Sequence, residues 1–287
     1  MHILFWKKGT YSIARFVVGI LVFTYLYQGM GFEAQQDSGT GFPFLLAAPV
    51  FSELPGKTEM DVPARLTELA KSDHIALLDW AIDRYESTVT DYTATFYKQE
   101  RINGKLRQTE KIAIVFMEDP FSVLMSWEEN AGVIDKLLYV EGQNENKMLV
   151  HPTGLLSWIK SVKRDPRSKE VRKASRSSCD QFGFYRSMQN LLKIYKQAEK
   201  YGDLQISYQG RTKVDGRECV AMERILPPRA DYPYARLVLE FDVEYLLPTS
   251  ISCYDWQGRL VSRYWYEDVK FNQGLKLAMF SPKSQGL

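Results

Sequence analysis

The chain has 287 residues, 45% of them hydrophobic and 25% charged, an ordinary globular composition whose length suits one large domain after a short N-terminal segment. A formal net charge of +2 is too small to point to nucleic acid as a partner. Three cysteines with no C-x-x-C pair, and only three histidines, show no ligand spacing that argues for structural zinc; no metal and no cofactor are expected.

Lys7, Lys8 and Arg15 precede an uncharged run of 17 residues, 16–32. Basic residues before an apolar run are the layout of a signal peptide or an N-in membrane anchor. Gly29-Met30-Gly31 offers a small-x-small cleavage site, and with no cysteine directly behind the run a lipid-modified mature N-terminus is excluded. The expectation is export to the periplasm or cell envelope, with residues 1–33 either cleaved or kept as an inner-membrane anchor. Gly39, Gly41, Pro43, Pro49, Pro55, Gly56 and Pro63 give residues 34–63 the composition of a flexible linker. Residues 64–287 are expected to form a single domain.

A helix is expected over 63–89, where Ile75, Leu78, Ile82, Tyr85 and Val89 make one apolar stripe and Ser72 or Asp73 would cap its second half. A strand over 92–102 places Tyr92, Ala94, Phe96, Lys98, Glu100 and Ile102 on one face. Asn103-Gly104 is a favoured two-residue hairpin turn, from which 106–117 returns. Strands follow at 121–127, 137–141 and 147–151, after which the meander stops.

Leu155, Leu156, Trp158 and Ile159 then form a short apolar patch. The stretch 160–176 carries eight basic residues, Lys160, Lys163, Arg164, Arg167, Lys169, Arg172, Lys173 and Arg176, against Asp165 and Glu170. A second amphipathic helix is expected over 184–201, with Phe184, Met188, Leu191, Leu192 and Tyr195 on one side. Strands resume at 204–214 and 217–226 across Asp215-Gly216, then at 234–243, 247–256 and 259–269. Cys219 and Cys253 fall inside strands and are bridged only if those strands are neighbours. Cys179, in a polar basic loop, is expected to be solvent-reachable.

About ten strands joined by short turns make a large antiparallel sheet, and so wide a sheet must curl or close. The two helical stripes need a surface to bury them, and the concave face is the one on offer. The fold class is therefore α+β: a curved, unclosed half-barrel with helices packed in its concave face.

DYTATFYKQERINGKL (91–106), DPFSVLMSW (119–127), Asp165-Pro166, Ser175-Arg176 and LPTSISCYDW (247–256) together resemble an exported bacterial family of unknown function. That family is grouped with the LolA/LolB-like superfamily of outer-membrane lipoprotein carriers and receptors. The resemblance covers about residues 70–275. It implies an unclosed barrel whose apolar cavity, covered by helices, holds acyl chains. No carrier motif maps residue by residue, so no binding residue is carried over.

Lys98, Glu100 and Arg101 are read as a polar latch between sheet and lid, against the plainer reading of a solvated edge or a structural ion pair. An inward Glu100 must be paired, because an isolated buried carboxylate is costly. His151 has no nucleophile motif beside it and is read as structural. Asp165, Asp255 and Asp268 sit where aspartate commonly satisfies backbone donors.

The basic stretch matches an anionic phospholipid surface better than nucleic acid, with a solvated loop as the plain alternative. The expected cavity and lid residues are Phe96, Trp127, Leu155, Leu156, Trp158, Ile159, Phe184, Met188 and Leu192, with Trp158 packing toward the cavity. The leading functional reading is a non-enzymatic, monomeric envelope protein that binds a lipid, a lipoprotein acyl chain or another apolar ligand. An interaction or sensor module with a self-filled core is the alternative, and a hydrolase the third.

Overall fold

The computed structural model describes residues 61–287, so the export segment 16–32 and nearly all of the expected linker lie outside the described residues. Among the described residues no helix is long and apolar enough to cross a membrane.

The expected helix over 63–89 is two helices, α1 (Val62–Ser72) and α2 (His74–Thr88). Asp73 breaks them with extended backbone (φ −151°) while its carboxylate accepts from the Ala76 N–H at 2.9 Å, the N-cap role anticipated for it. Twelve strands follow, two more than the turn pattern implied, because two are only two and three residues long. β1 is Asp91–Ile102, β2 Lys105–Leu106, β3 Glu110–Met117, β4 Ser122–Glu129, β5 Ile134–Val140 and β6 Met148–Pro152. β7 (Val162–Arg164) lies inside the basic stretch and pairs with β6, so the meander continues past His151. The short helix α3 (Lys169–Ala174) and the long α4 (Phe184–Lys200) come next. β8 (Gln205–Val214), β9 (Arg217–Ile225), β10 (Arg236–Asp242), β11 (Pro248–Tyr254) and β12 (Leu260–Phe271) complete the sheet.

The order is β7-β6-β5-β4-β3-β1-β12-β11-β10-β9-β8, with antiparallel pairing throughout and β2 attached to β1. First and last strands thus meet at the centre, Phe96 opposite Tyr266 and Glu100 opposite Ser262. β7 and β8, consecutive in the chain, form the open edges of a half-barrel. Between them the chain crosses the inner face as α3 and α4.

One buried cluster covers that face. It joins Leu66, Leu77, Leu78 and Tyr85 of the first helices and Phe184, Met188 and Tyr195 of α4 to inward residues of strands from β6 to β9. Each such side chain contributes about 1.5–3 kcal/mol relative to exposure. The outer face is not bare. Met117, Leu124, Leu138, Val140 and Leu149 are covered by Phe280 of a C-terminal strap (a 3-10 turn Leu277–Phe280, then α5, Pro282–Gln285), which the turn-and-strand pattern did not reveal.

Three cysteine expectations are settled. All three thiols are free and buried. Cys219 lies opposite Asp242 and Cys253 opposite Leu237, on strands separated by β10, so they do not face one another. Cys179 is not solvent-reachable: it packs with its sulfur 3.7 Å from that of Met148, and burial pushes its thiol up to about 12.

Two glycines differ in what they allow. Gly216, at φ +73° in the turn after Asp215 (φ 52°), has open space where a Cβ would stand. Gly183, at φ +102° just before α4, would place a Cβ 2.9 Å from Cζ of Phe116, a fully buried ring. Gly216→Val is expected to lose about 1–2 kcal/mol from backbone strain alone. Gly183→Ala adds an overpacking cost of about 1–3 kcal/mol to such strain, so its urea midpoint should fall further. Equal midpoints would mean that the approach of Phe116 to the α4 entry is not tight.

Candidate functional site

A cleft of about 790 Å³ opens on the inner face between the sheet and the crossing segment. Strand residues Phe96, Met125, Leu237, Ile251, Tyr264 and Tyr266 wall one side. Phe182, Phe184, Leu191 and Ile194 of the crossing segment wall the other, and Tyr234 stands two residues before β10. The aromatic rings are in mutual contact: Phe184 lies 4.4 Å from Tyr266, centroid to centroid, and Phe96 5.2 Å from Phe182, edge to face. Arg167, Arg172 and Arg176 line the same cleft. The site therefore has an apolar wall and a guanidinium-bearing rim.

Glu100 fixes the crossing segment to the sheet. It is 2% exposed and accepts hydrogen bonds from the Tyr264 hydroxyl at 2.6 Å, the Ser175 hydroxyl at 3.1 Å and the Arg176 N–H at 3.2 Å. Burial, with the Glu100 carboxylate beside it, pushes the Tyr264 phenol well above its ordinary range, so that it donates at any working pH. Lys98 and Arg101 do not join this cluster. Lys98 pairs with Glu110 at 3.0 Å, and Glu110 also accepts from Trp127 Nε1–H at 2.6 Å. Arg101 donates to the Leu260 and Gly104 carbonyls. The expected three-residue latch is thus one carboxylate with donors from α3's end and β12.

The expected cavity residues are scattered more widely than the sequence implied. Phe96 and Phe184 line the cleft. Met188 is fully buried in the core beneath it, and Leu192 is half-buried against that core. Trp127 is half-buried, held by Glu110 rather than lining the cleft. Leu155, Leu156 and Trp158 are 97%, 42% and 78% exposed, and Ile159 is half-buried. The expectation that Trp158 packs toward the cavity is therefore corrected. Its loop, 154–160, joins β6 to β7 and contributes no residue to the cleft lining.

That loop is held from behind. His151 on β6 sets Nδ1 2.6 Å from the Asp135 carboxylate of β5 and Nε2 3.1 Å from the Ser157 carbonyl. Both ring nitrogens thus have partners that tie β6 to β5 and to the loop, in keeping with a structural role. Thr153 N–H donates to Val133 O at 3.0 Å and places Val133, 75% exposed, beside the same loop.

The fold also divides the basic stretch. Lys160, Lys163 and Arg164 flank the apolar loop and the β7 edge. Arg167, Arg172 and Arg176 turn to the cleft, where Arg167 is 2.6 Å from buried Asp180 and Arg176 lies 5.8 Å from the Tyr234 ring. Lys169 and Lys173 are exposed on α3. Two of the three aspartates anticipated as acceptors behave as such: Asp255 accepts from the Gln257 and Arg259 amides, and Asp165 from that of Arg167. Asp268, at φ 52° within β12, instead donates its own amide to the Asp215 carboxylate at 2.9 Å.

Tyr234, Tyr264, Tyr266 and Phe182 escaped the sequence reading because nothing in a strand pattern says which inward residues border a gap. A family model described as a protein of unknown function (DUF1571) matches residues 89–286. No curated protein matches the chain. Among solved structures, the chain is similar to a DUF1329 family protein from Desulfovibrio piger ATCC 29098 at 16% identity, over 78% of this chain and 99% of that one, with a TM-score of 0.36. It is also similar to a chain of the Pseudomonas aeruginosa MucA/MucB complex at 15% identity, over 72% of this chain but 60% of that one, with a TM-score of 0.41. A LolA superfamily protein from Nitrosomonas europaea is 10% identical over 71% and 96% of the two chains, with a TM-score of 0.30. At these scores none of the three bears on what the chain binds.

Replacing Glu100 by Ala strands the Tyr264 and Arg176 donors, at roughly 1–3 kcal/mol for each group left unpaired. The expected outcome is a lower urea midpoint together with faster hydrogen exchange at the Arg176 amide. An Arg176 amide that stays equally protected would show that Glu100 does not hold the crossing segment.

Proposed function

For this chain, which belongs to the DUF1571 family of proteins of unknown function, we propose the role of a non-catalytic cell-envelope protein that holds a lipid, an acyl chain or another apolar ligand in the cleft of its half-barrel. One observation carries this reading. The inner face is otherwise filled by its own side chains, yet about 790 Å³ remains open between aromatic and aliphatic walls. That volume lies within the roughly 300–1,000 Å³ usual for small-ligand pockets. Export, supported by Lys7, Lys8 and Arg15 ahead of the uncharged run 16–32, puts the cleft in a compartment bounded by membranes.

The test is whether the protein carries such a ligand. Organic extraction of the purified chain, followed by mass spectrometry, should release an apolar molecule in near-stoichiometric amount. Ile251→Trp, which adds bulk to the cleft wall, should weaken an acyl-chain fluorescent probe by about tenfold or more while leaving circular dichroism unchanged. Absence of any co-purifying ligand together with unchanged probe binding would sink the cleft reading.

A second reading has its own observation. Val133, Leu155 and Trp158 are large, apolar and exposed on one edge, with Lys160, Lys163 and Arg164 beside them. Scattered exposed apolar residues need no explanation, but a cluster with basic flanks fits the interface of an anionic bilayer. Each basic residue near such a surface contributes about 1 kcal/mol. Co-sedimentation with vesicles containing phosphatidylglycerol should drop when Leu155 and Trp158 are both changed to Ala, and should weaken with salt. Equal sedimentation of the double variant would leave the loop without a membrane role.

A further inference from the structure

Arg224 is buried at 0% exposure, and among the described residues none of its three guanidinium nitrogens has a hydrogen-bond partner. Its position follows from the alternation of β9: Val220 and Met222 point to the inner face, and Arg224 is next in that series. Arginine keeps its proton under all ordinary conditions, so such a site holds a desolvated cation. Burial does push its pKa down.

The guanidinium is not alone. Its central carbon lies 5.2 Å from the ring of Tyr195 on α4, and the hydroxyl of that fully buried tyrosine is also without a partner. Behind it stands His74, ring centroids 6.0 Å apart, whose Nε2–H donates to Ala70 O at 2.8 Å. Five of the seven buried side-chain polar atoms left unpartnered among the described residues belong to these three side chains. Buried polar groups are ordinarily paired, so their concentration at one place is informative.

This cluster lies directly behind the cleft wall. Leu237, opposite Arg224 across the β9–β10 ladder, lines the cleft, as do Cys253, opposite Leu237, and Ile194, next to Tyr195. Ile194 and Tyr234 of that wall are only half-buried.

We propose that Arg224, with the Tyr195 hydroxyl, binds the oxyanion of an acidic amphiphile whose apolar body occupies the cleft. This rests on the cleft reading above and adds the charge of the ligand to it. A carboxylate or phosphate ester accepts two parallel N–H bonds from the guanidinium fork and one O–H bond from Tyr195, pairing the cation and both donors at once. Cation–π contact with Tyr195 holds the guanidinium in place in the meantime.

The experiment measures displacement of an acyl-chain fluorescent probe from the purified full-length chain by hexadecanoic acid, hexadecyl phosphate, hexadecan-1-ol and inorganic phosphate. Hexadecanoic acid or hexadecyl phosphate should displace it at least about tenfold better than the alcohol, and the preference identifies which head group fits. In Arg224→Met, an apolar replacement of similar length, that preference should fall to within about threefold while the alcohol binds as before. The comparison among ligands on the unaltered protein stands even if the variant fails to fold. Acid, ester and alcohol binding equally well to the unaltered chain would overturn the inference and leave the cleft reading intact. Failure of all three amphiphiles to bind would overturn the cleft reading itself. Inorganic phosphate protecting the protein from thermal unfolding as well as hexadecyl phosphate does would assign the site to a free anion and overturn the amphiphile.

Discussion

The structure depends on one constraint of connectivity. β1 and β12 meet at the centre of the sheet, so β7 and β8, consecutive strands of the chain, end up at opposite edges. The intervening residues must cross the full width of the sheet. They do so on the inner face, because Phe184, Met188, Leu191 and Tyr195 of α4 supply an apolar stripe that the inward residues of the strands can bury. At about 1.5–3 kcal/mol for each large side chain, that burial offsets the entropy of ordering a long crossover. α1 and α2 fill the remaining width from the other direction, with Asp79 of α2 ion-paired to Lys196 of α4.

The cleft is a consequence of the crossing. A helix and a short irregular segment leave part of a wide curved surface uncovered, and the gap falls between the strands and the segment before α4. Glu100 fastens that segment at the edge of the gap. It ties the backbone at Arg176 to the central strand, while Arg167 and Arg186 bind Asp180 from above. The buried polar groups are thus not distributed at random: a satisfied carboxylate holds the crossing segment down, and an unsatisfied guanidinium lies behind the other wall. The first is a structural fastening. The second costs stability unless something anionic reaches it.

The outer edge of the molecule follows a different rule. The 154–160 loop is fastened by His151, Asp135 and Thr153 but covered by nothing among the described residues, so its apolar tip faces solvent. One stretch of sequence therefore supplies two surfaces. Lys160, Lys163 and Arg164 remain with the tip and the β7 edge, where lysine and arginine also discourage strand-to-strand association. Two residues after Arg164, Pro166 is buried and the chain turns inward, delivering Arg167, Arg172 and Arg176 to the cleft.

The sequence by itself determined the local elements. Period-two alternation from Tyr92 to Ile102 and the stripe of Phe184, Met188, Leu191 and Tyr195 are enforced by backbone geometry, and Asn103-Gly104 and Asp215-Gly216 turn because they tolerate positive φ. From those elements an open curved sheet with internal helices follows, since no other surface buries both stripes. The sequence also contained an inward arginine after Val220 and Met222, which alternation makes legible. What only the tertiary structure decided depends on distance between residues far apart in the chain. Cys179 is buried because Met148, on a strand thirty-one residues earlier, packs on it. Trp158 is exposed because none of the apolar clusters takes it in, an outcome that no local periodicity encodes. Glu100 is a latch and Lys98 is not, because the donors of Ser175, Arg176 and Tyr264 converge on one of two inward positions. Alternation assigns a residue to a face; only packing assigns it a partner.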